Sequence, residues 1–342
     1  MNEWPFFFTS MVVFLLGMGI LAILGWGFLR ILYRKLPVSL FSISILLISF
    51  GVGLTLMIIY SIFMVMIKQF SFFTVTLPII LIDVFILFSA RIQIRDQYIN
   101  LIQKIKVGGL KRVILKYIGV ILIIFLQISF QLQFFMANLS LSTWDPYIWF
   151  QNIFFLHKYG YIDSTLHGAY PPGFTITCAF FTTLITDFYQ FYFFMKFLPI
   201  YIFSINIVVI YQIAIRIFKE RFLIFICLLF IISIPYIYYR YSLLLPTNFA
   251  TMEGLLLVLW LLENPSRINK NTSQVLSESQ SIGSKGNDNE LNPLIRSNLD
   301  KKSNKFSFEP EIVETKAMKV HALIFGLILG GMGLYHPFYN AI

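Results

Sequence analysis

The chain has 342 residues, 58% of them hydrophobic and only 12% charged. Soluble domains carry about twice that charged share, so an ordinary globular domain is excluded and a chain that lives in lipid is expected. The net charge of +10 is expected to gather in cytoplasmic loops rather than to mark a nucleic-acid partner.

In chain order, Phe6 to Leu29 reads as a first span, since ~20 apolar residues cross a bilayer core as a helix. It lacks a basic stretch before it and a small-residue cleavage site after it, so no cleavable signal peptide is expected. Arg30, Arg34 and Lys35 follow at once, which sets that end in the cytoplasm and the N-terminus outside. Val38 to Ile67 is a second span, long enough to tilt. Phe70 to Ala90 is a third, with Lys68 and Gln69 turning between them on the outer face. Asp83 falls inside that third span, where a charge costs about 2.5–3.5 kcal/mol on insertion scales. An intramembrane acid is a functional candidate by default; protonation or pairing within the bundle would account for it equally.

Arg91, Arg95, Lys104, Lys106, Lys111 and Arg112 place the next interval in the cytoplasm. Within it Ile94, Tyr98, Leu101, Ile102 and Ile105 share one helical face, which describes an amphipathic helix on the inner membrane surface. Val113 to Met136 is a fourth span and leads into an outer loop over residues 137–190. There Asp145-Pro146 reads as a helix start, Asp as N-cap and Pro in the first turn. Gly160 reads as its C-terminal stop. Gly173 to Thr186 is too short to span comfortably and is expected as a half-helix on the outer side. With that segment kept outside, Phe191 to Phe218 runs inward and Arg216, Lys219 and Arg221 become cytoplasmic. Phe222 to Tyr238 returns outward, Tyr239 to Asn248 forms a second outer loop, and Phe249 to Leu262 goes back in.

Glu263 to Met318 is rich in Ser, Asn, Lys and Glu; it buries too little apolar surface to offset its ordering entropy, so a disordered cytoplasmic linker is expected. Ala322 to Ile342 is the final span. The expected fold is therefore an all-α polytopic membrane protein with about eight transmembrane helices and an outer loop carrying interfacial helices. Its parts are residues 1–112, a three-span region with the amphipathic helix; 113–262, the core; 263–318, the linker; and 319–342, the last span. Cys178 and Cys227 both lie in apolar segments and read as packing residues, not a disulfide or a metal pair.

Chemistry concentrates in the outer loop. Asp145 is the first carboxylate after the fourth span and is flanked by Trp144 and Trp149, residues suited to the headgroup layer. A plain N-cap role is the simpler reading of it on local sequence alone. Tyr170-Pro171-Pro172-Gly173 stiffens the return to the membrane. Asp163, His157 and His167 suit sugar hydroxyls or plain solvation. Arg240 suits a lipid phosphate, because its planar fork matches phosphate oxygens; a snorkelling interfacial arginine is the alternative. His336, beside Tyr335 and Pro337, would face the same region from the last span.

Trp144-Asp145-Pro146 after an outward span, followed by Tyr170-Pro171-Pro172-Gly173, resembles the first outer loop of GT-C superfamily glycosyltransferases. The Asp-Pro-x-x-Trp pattern from Asp145 to Trp149 looks most like oligosaccharyltransferase catalytic subunits and related dolichyl-phosphate-sugar transferases. The resemblance covers roughly Val113 to Leu262. It implies a polyprenyl-phosphate-linked sugar as donor, with Asp145 as base or metal ligand. It also implies a possible divalent cation, magnesium or manganese. Arg240, Trp149, Tyr170, Asp163 and His336 would then contact substrate. The family's later acidic motif has no Asp-x-Asp counterpart here; between Leu245 and Glu253 only Asn248 and Glu253 are strong candidates to supply side-chain oxygen ligands, which leaves a metal-independent relative open, and Glu253 reads equally as the charged end of a span. The competing expectation is a non-catalytic or transporter-like multi-pass protein, or a truncated inactive relative. A transporter would carry polar residues at mid-membrane, whereas the polar residues gather mostly at the outer edge of the predicted spans.

Overall fold

The computed structural model describes residues 3–33, 40–108, 110–137, 144–162, 171–218, 220–234, 243–263, 322–331 and 335. Those residues form helices, with no strand among them. Helix α1 is Trp4–Leu32 and α2 is Ile43–Met66. A single π turn, Phe72–Thr76, opens α3, Leu77–Gly108; α4 follows as Leu110–Ala137. Next come α5 Trp144–Tyr159, α6 Gly173–Thr182, α7 Phe188–Ile217, α8 Arg221–Ser233 and α9 Pro246–Leu262. The last is α10, Ala322–Gly331. Trp4–Leu32, Ile43–Met66, Phe72–Gln103 and Phe188–Ile217 are long and apolar enough to cross a membrane; the remaining apolar helices are shorter. The chain is thus a helical membrane protein with four such helices among the described residues.

Two expectations are corrected. The third span and the surface amphipathic helix are one continuous helix, because no Gly or Pro interrupts the chain between Pro78 and Val107 and every turn propagates the i→i−4 ladder. The change from apolar to charged residues near Arg91 altered the solvent a helix prefers, not its backbone. In addition, α5 begins at Trp144, so Asp145 sits inside the first turn rather than at the cap. Gly160 does end α5: its φ is +77°, a conformation that only Gly adopts without strain.

Helices α1 and α2 cross with their backbones in contact. A side chain on Gly25 would run into the Ser49 carbonyl, and one on Gly53 into the Leu21 carbonyl. Small residues permit this approach, and close packing is what joins helices where lipid competes for apolar surface. Helix α7 is the axis of the bundle, packed by α1, α4, α8 and α9. Pro199 within it withholds one N–H from the ladder. The nearby Ile200 carbonyl accepts from Ser204 Oγ at 2.9 Å and Gln127 Nε2 at 3.4 Å, so α4 is tied to α7 by polar contacts that have no water to compete with them.

The helices share two distinct ends. At the basic end, Arg30 donates to Gln93 Oε1 at 3.0 Å, Gln97 accepts from the Leu40 N–H at 3.1 Å, and Arg216 donates to Ser44 Oγ at 2.6 Å and pairs with Glu263. The C-termini of α7 and α9 therefore lie beside the N-terminus of α2. At the opposite, aromatic end, Lys196 of α7 pairs with Glu3 at the start of α1, and the α2–α3 turn meets the end of α5. The short helix α6 and the turn after it sit on this side, where Thr183 Oγ1 lies 2.7 Å from Thr76 Oγ1. Helix α7 thus starts at the same end as α5 finishes.

Candidate functional site

The loop helix α5 is held from three directions. The Gly160 carbonyl accepts from the Phe70 N–H at 3.1 Å. Lys68 places its Nζ 5.3 Å from the centre of the Tyr161 ring. On the inward face, Phe150 and Phe154 pack edge-on against Phe188 and Phe191 of α7. His157, half-buried in the last turn, sits 3.4 Å from Thr182 Oγ1 and against Phe191. Burial pushes its imidazole below the usual value of 6.5, because the charged form loses its water.

Trp149 is buried and begins a line of rings. It meets Phe174 edge-on at 5.2 Å. Phe174 meets Phe249 at 5.8 Å, and Phe249 stacks on Tyr335 at 5.5 Å. These residues come from α5, α6, α9 and the segment after α10. Offset and edge-on ring pairs add roughly 0.5–1.5 kcal/mol each beyond area burial, so the line holds the loop helix to the core. It forms because Pro172 caps α6 and Gly173 opens it, which turns the chain directly into the bundle; all ten residues of α6 are buried.

Glu253 lies one helical turn beyond Phe249 and is fully buried. Its Oε2 faces Gly51 of α2, where a Cβ would stand 3.2 Å away. Neither carboxylate oxygen has a hydrogen-bond partner. Tyr335 is close enough to feel its charge, and the Tyr335 hydroxyl shares a 3.0 Å hydrogen bond with Thr177 Oγ1 of α6. Glu253 is therefore not the charged end of a span but a carboxyl in the middle of the packing.

Of the residues singled out in the sequence, Trp149 and Glu253 are brought to this one region. Asp145 is described only as a backbone position in the first turn of α5. Asp163, His167, Tyr170, Arg240 and His336 lie outside the described residues, as do residues 264–321 and the residues beyond Gly331 other than Tyr335. Among the described residues no three His, Cys, Asp or Glu side chains come together as a metal shell. Glu253 alone offers one carboxylate where a divalent ion needs several oxygens, so these residues do not by themselves fit the implied cation.

Sequence reading missed the buried pair of Lys196, fully buried, and Glu3, joined at 2.9 Å. The signal was present: Lys196 is a cation inside an apolar run, and such residues face the bundle and pair. The expectation that polar groups gather at the outer edge is also corrected. Asp83, Asn206, Gln127, Gln131 and Glu253 are buried within helices, and Asp83, Asn206 and Glu253 have buried side-chain atoms without partners. Cys178 and Cys227 are both free. The chain matches no family model, no curated protein and no solved structure.

Proposed function

We propose that the chain is a membrane glycosyltransferase that moves a sugar from a polyprenyl-phosphate-linked donor to an acceptor at the aromatic end of the bundle. The observation that supports this reading is the line of rings from Trp149 to Tyr335. It joins the helix bearing the Trp-Asp-Pro motif, the helix opened by Pro-Pro-Gly and the helix bearing Glu253. In a single displacement the acceptor oxygen bonds the anomeric carbon while the bond to the donor phosphate breaks, inverting that centre. Asp145 would take the acceptor's proton. Arg240 would hold the departing phosphate. Trp149, Tyr170, Asp163 and His336 would line the sugar. The N-terminus would face outside and the linker the cytoplasm, with lipid around the spans.

The test is Asp145→Asn in membranes supplied with a labelled polyprenyl-phosphate sugar. General-base catalysis supplies about 100- to 10,000-fold, and a loss on that scale is expected; undiminished transfer rejects the assignment. A second reading, a transporter-like protein, is favoured by the unpartnered Asp83, Asn206 and Glu253 inside helices. Its discriminating observation is solute uptake into vesicles that depends on these residues and not on Asp145.

A further inference from the structure

Among the described residues, Glu253 is a fully buried ionisable side chain with no partner. It lies on α9, facing Gly51 of α2, and both oxygens lack a hydrogen bond. The neighbouring groups are neutral. Gly51 of α2 faces it, with Leu256 of α9 packed on the same glycine, and the Thr55 hydroxyl is turned back to the Gly51 carbonyl at 3.1 Å. On α6, Thr177 is bonded to the Tyr335 hydroxyl. The charged side chains of α7 are engaged elsewhere: Lys196 by Glu3 and Arg216 by Glu263. An isolated carboxylate cannot keep its charge in such a place; it takes a proton or a cation.

We propose that Glu253 is a proton-binding site within the membrane core. The proton is favoured over a metal cation because the described neighbours supply too few oxygens to replace a hydration shell, whereas a proton needs none. Tyr335 lies flat on Phe249, one turn from Glu253, and Gly331 of α10 presses on Thr55 of the same α2 face. An anion at Glu253 would be left unpaired beside that stack. This inference does not rest on the glycosyl-transfer reading.

The experiment is infrared spectroscopy of the full chain in lipid nanodiscs, titrated across neutral and alkaline pH with and without sodium or potassium ions. The expected result is a protonated-carboxyl C=O band at neutral pH that is lost in Glu253→Gln and kept in Asp83→Asn. Glu253→Asp, which keeps the acid, should shift the band and keeps the test open if the Gln variant does not accumulate. A neutral-pH spectrum with no band removed by Glu253→Gln overturns the proposal. A carboxylate signal from Glu253 that requires sodium or potassium also overturns it, in favour of a cation site.

Discussion

Lys196 and Glu3, 193 positions apart in the chain, meet at 2.9 Å in a setting where neither reaches solvent. The ammonium also lies 5.6 Å from the centre of the Phe193 ring and 5.8 Å from that of Phe197. The pair pins the start of α1 to α7, helped by Gln190 donating to Ser10 at 3.0 Å and Tyr201 donating to the Phe7 carbonyl at 2.9 Å.

Removing one partner of a buried pair leaves an uncompensated charge and costs about 3–5 kcal/mol, whereas replacing both is often nearly neutral. Glu3→Gln alone should therefore destabilise the chain strongly, and Glu3→Gln with Lys196→Met should recover most of the loss. Thermal unfolding in detergent checks this; a double variant no better than the single one would refute the pairing.

The crossing of α1 and α2 gives a sharper contrast. Gly53→Ala forces a methyl into the Leu21 carbonyl, while Gly19→Ala meets nothing within 4 Å. Overpacking of this kind costs about 1–3 kcal/mol. The first variant should unfold earlier and the second should be neutral or slightly stabilised, as helix propensity favours Ala.

These two relationships also show what was readable beforehand. Hydropathy located α1 and α7 to within a few residues, because lipid demands long apolar runs. The Gly173 to Thr186 run was readable as a short helix, and Gly160 as a stop. The continuity of α3 was not, since a change from apolar to charged residues looks like an ending although helix propensity persists through it. The Gly25–Gly53 contact was not readable either, because a glycine's partner is set by the crossing angle of two helices. Glu253 was an even choice between span end and site: the sequence shows how far it lies from the next charge, but not that α2 and Tyr335 close over it.

Gly160→Ala should act at the loop. A left-handed residue costs roughly 1–2 kcal/mol when it is not Gly, and the new methyl would stand 3.0 Å from the Phe70 carbonyl. The expected outcome is faster proteolysis within residues 138–170, with the rest of the bundle intact. Cleavage unchanged from wild type would show that this contact does not hold α5.

His157 gives a pH dependence. Its folded value lies below 6.5 through burial, so the unfolded chain takes up its proton first as pH falls. The stabilising contribution is full above 6.5 and is lost as pH falls through the folded value. Melting curves between neutral and mildly acidic pH should show this decline, and His157→Gln should flatten it; an equal slope in both proteins would mean that another group titrates.

The most direct measurement is photo-crosslinking of the full chain in nanodiscs with a polyprenyl-phosphate sugar bearing a photoreactive group, followed by mapping of the modified peptides. Adducts on α5 and α6, reduced by unlabelled donor and absent with a photoreactive phospholipid of the same chain length, are the predicted result. Adducts confined to the exposed faces of α3 and α8, or unaffected by competing donor, would contradict a donor site at the aromatic end.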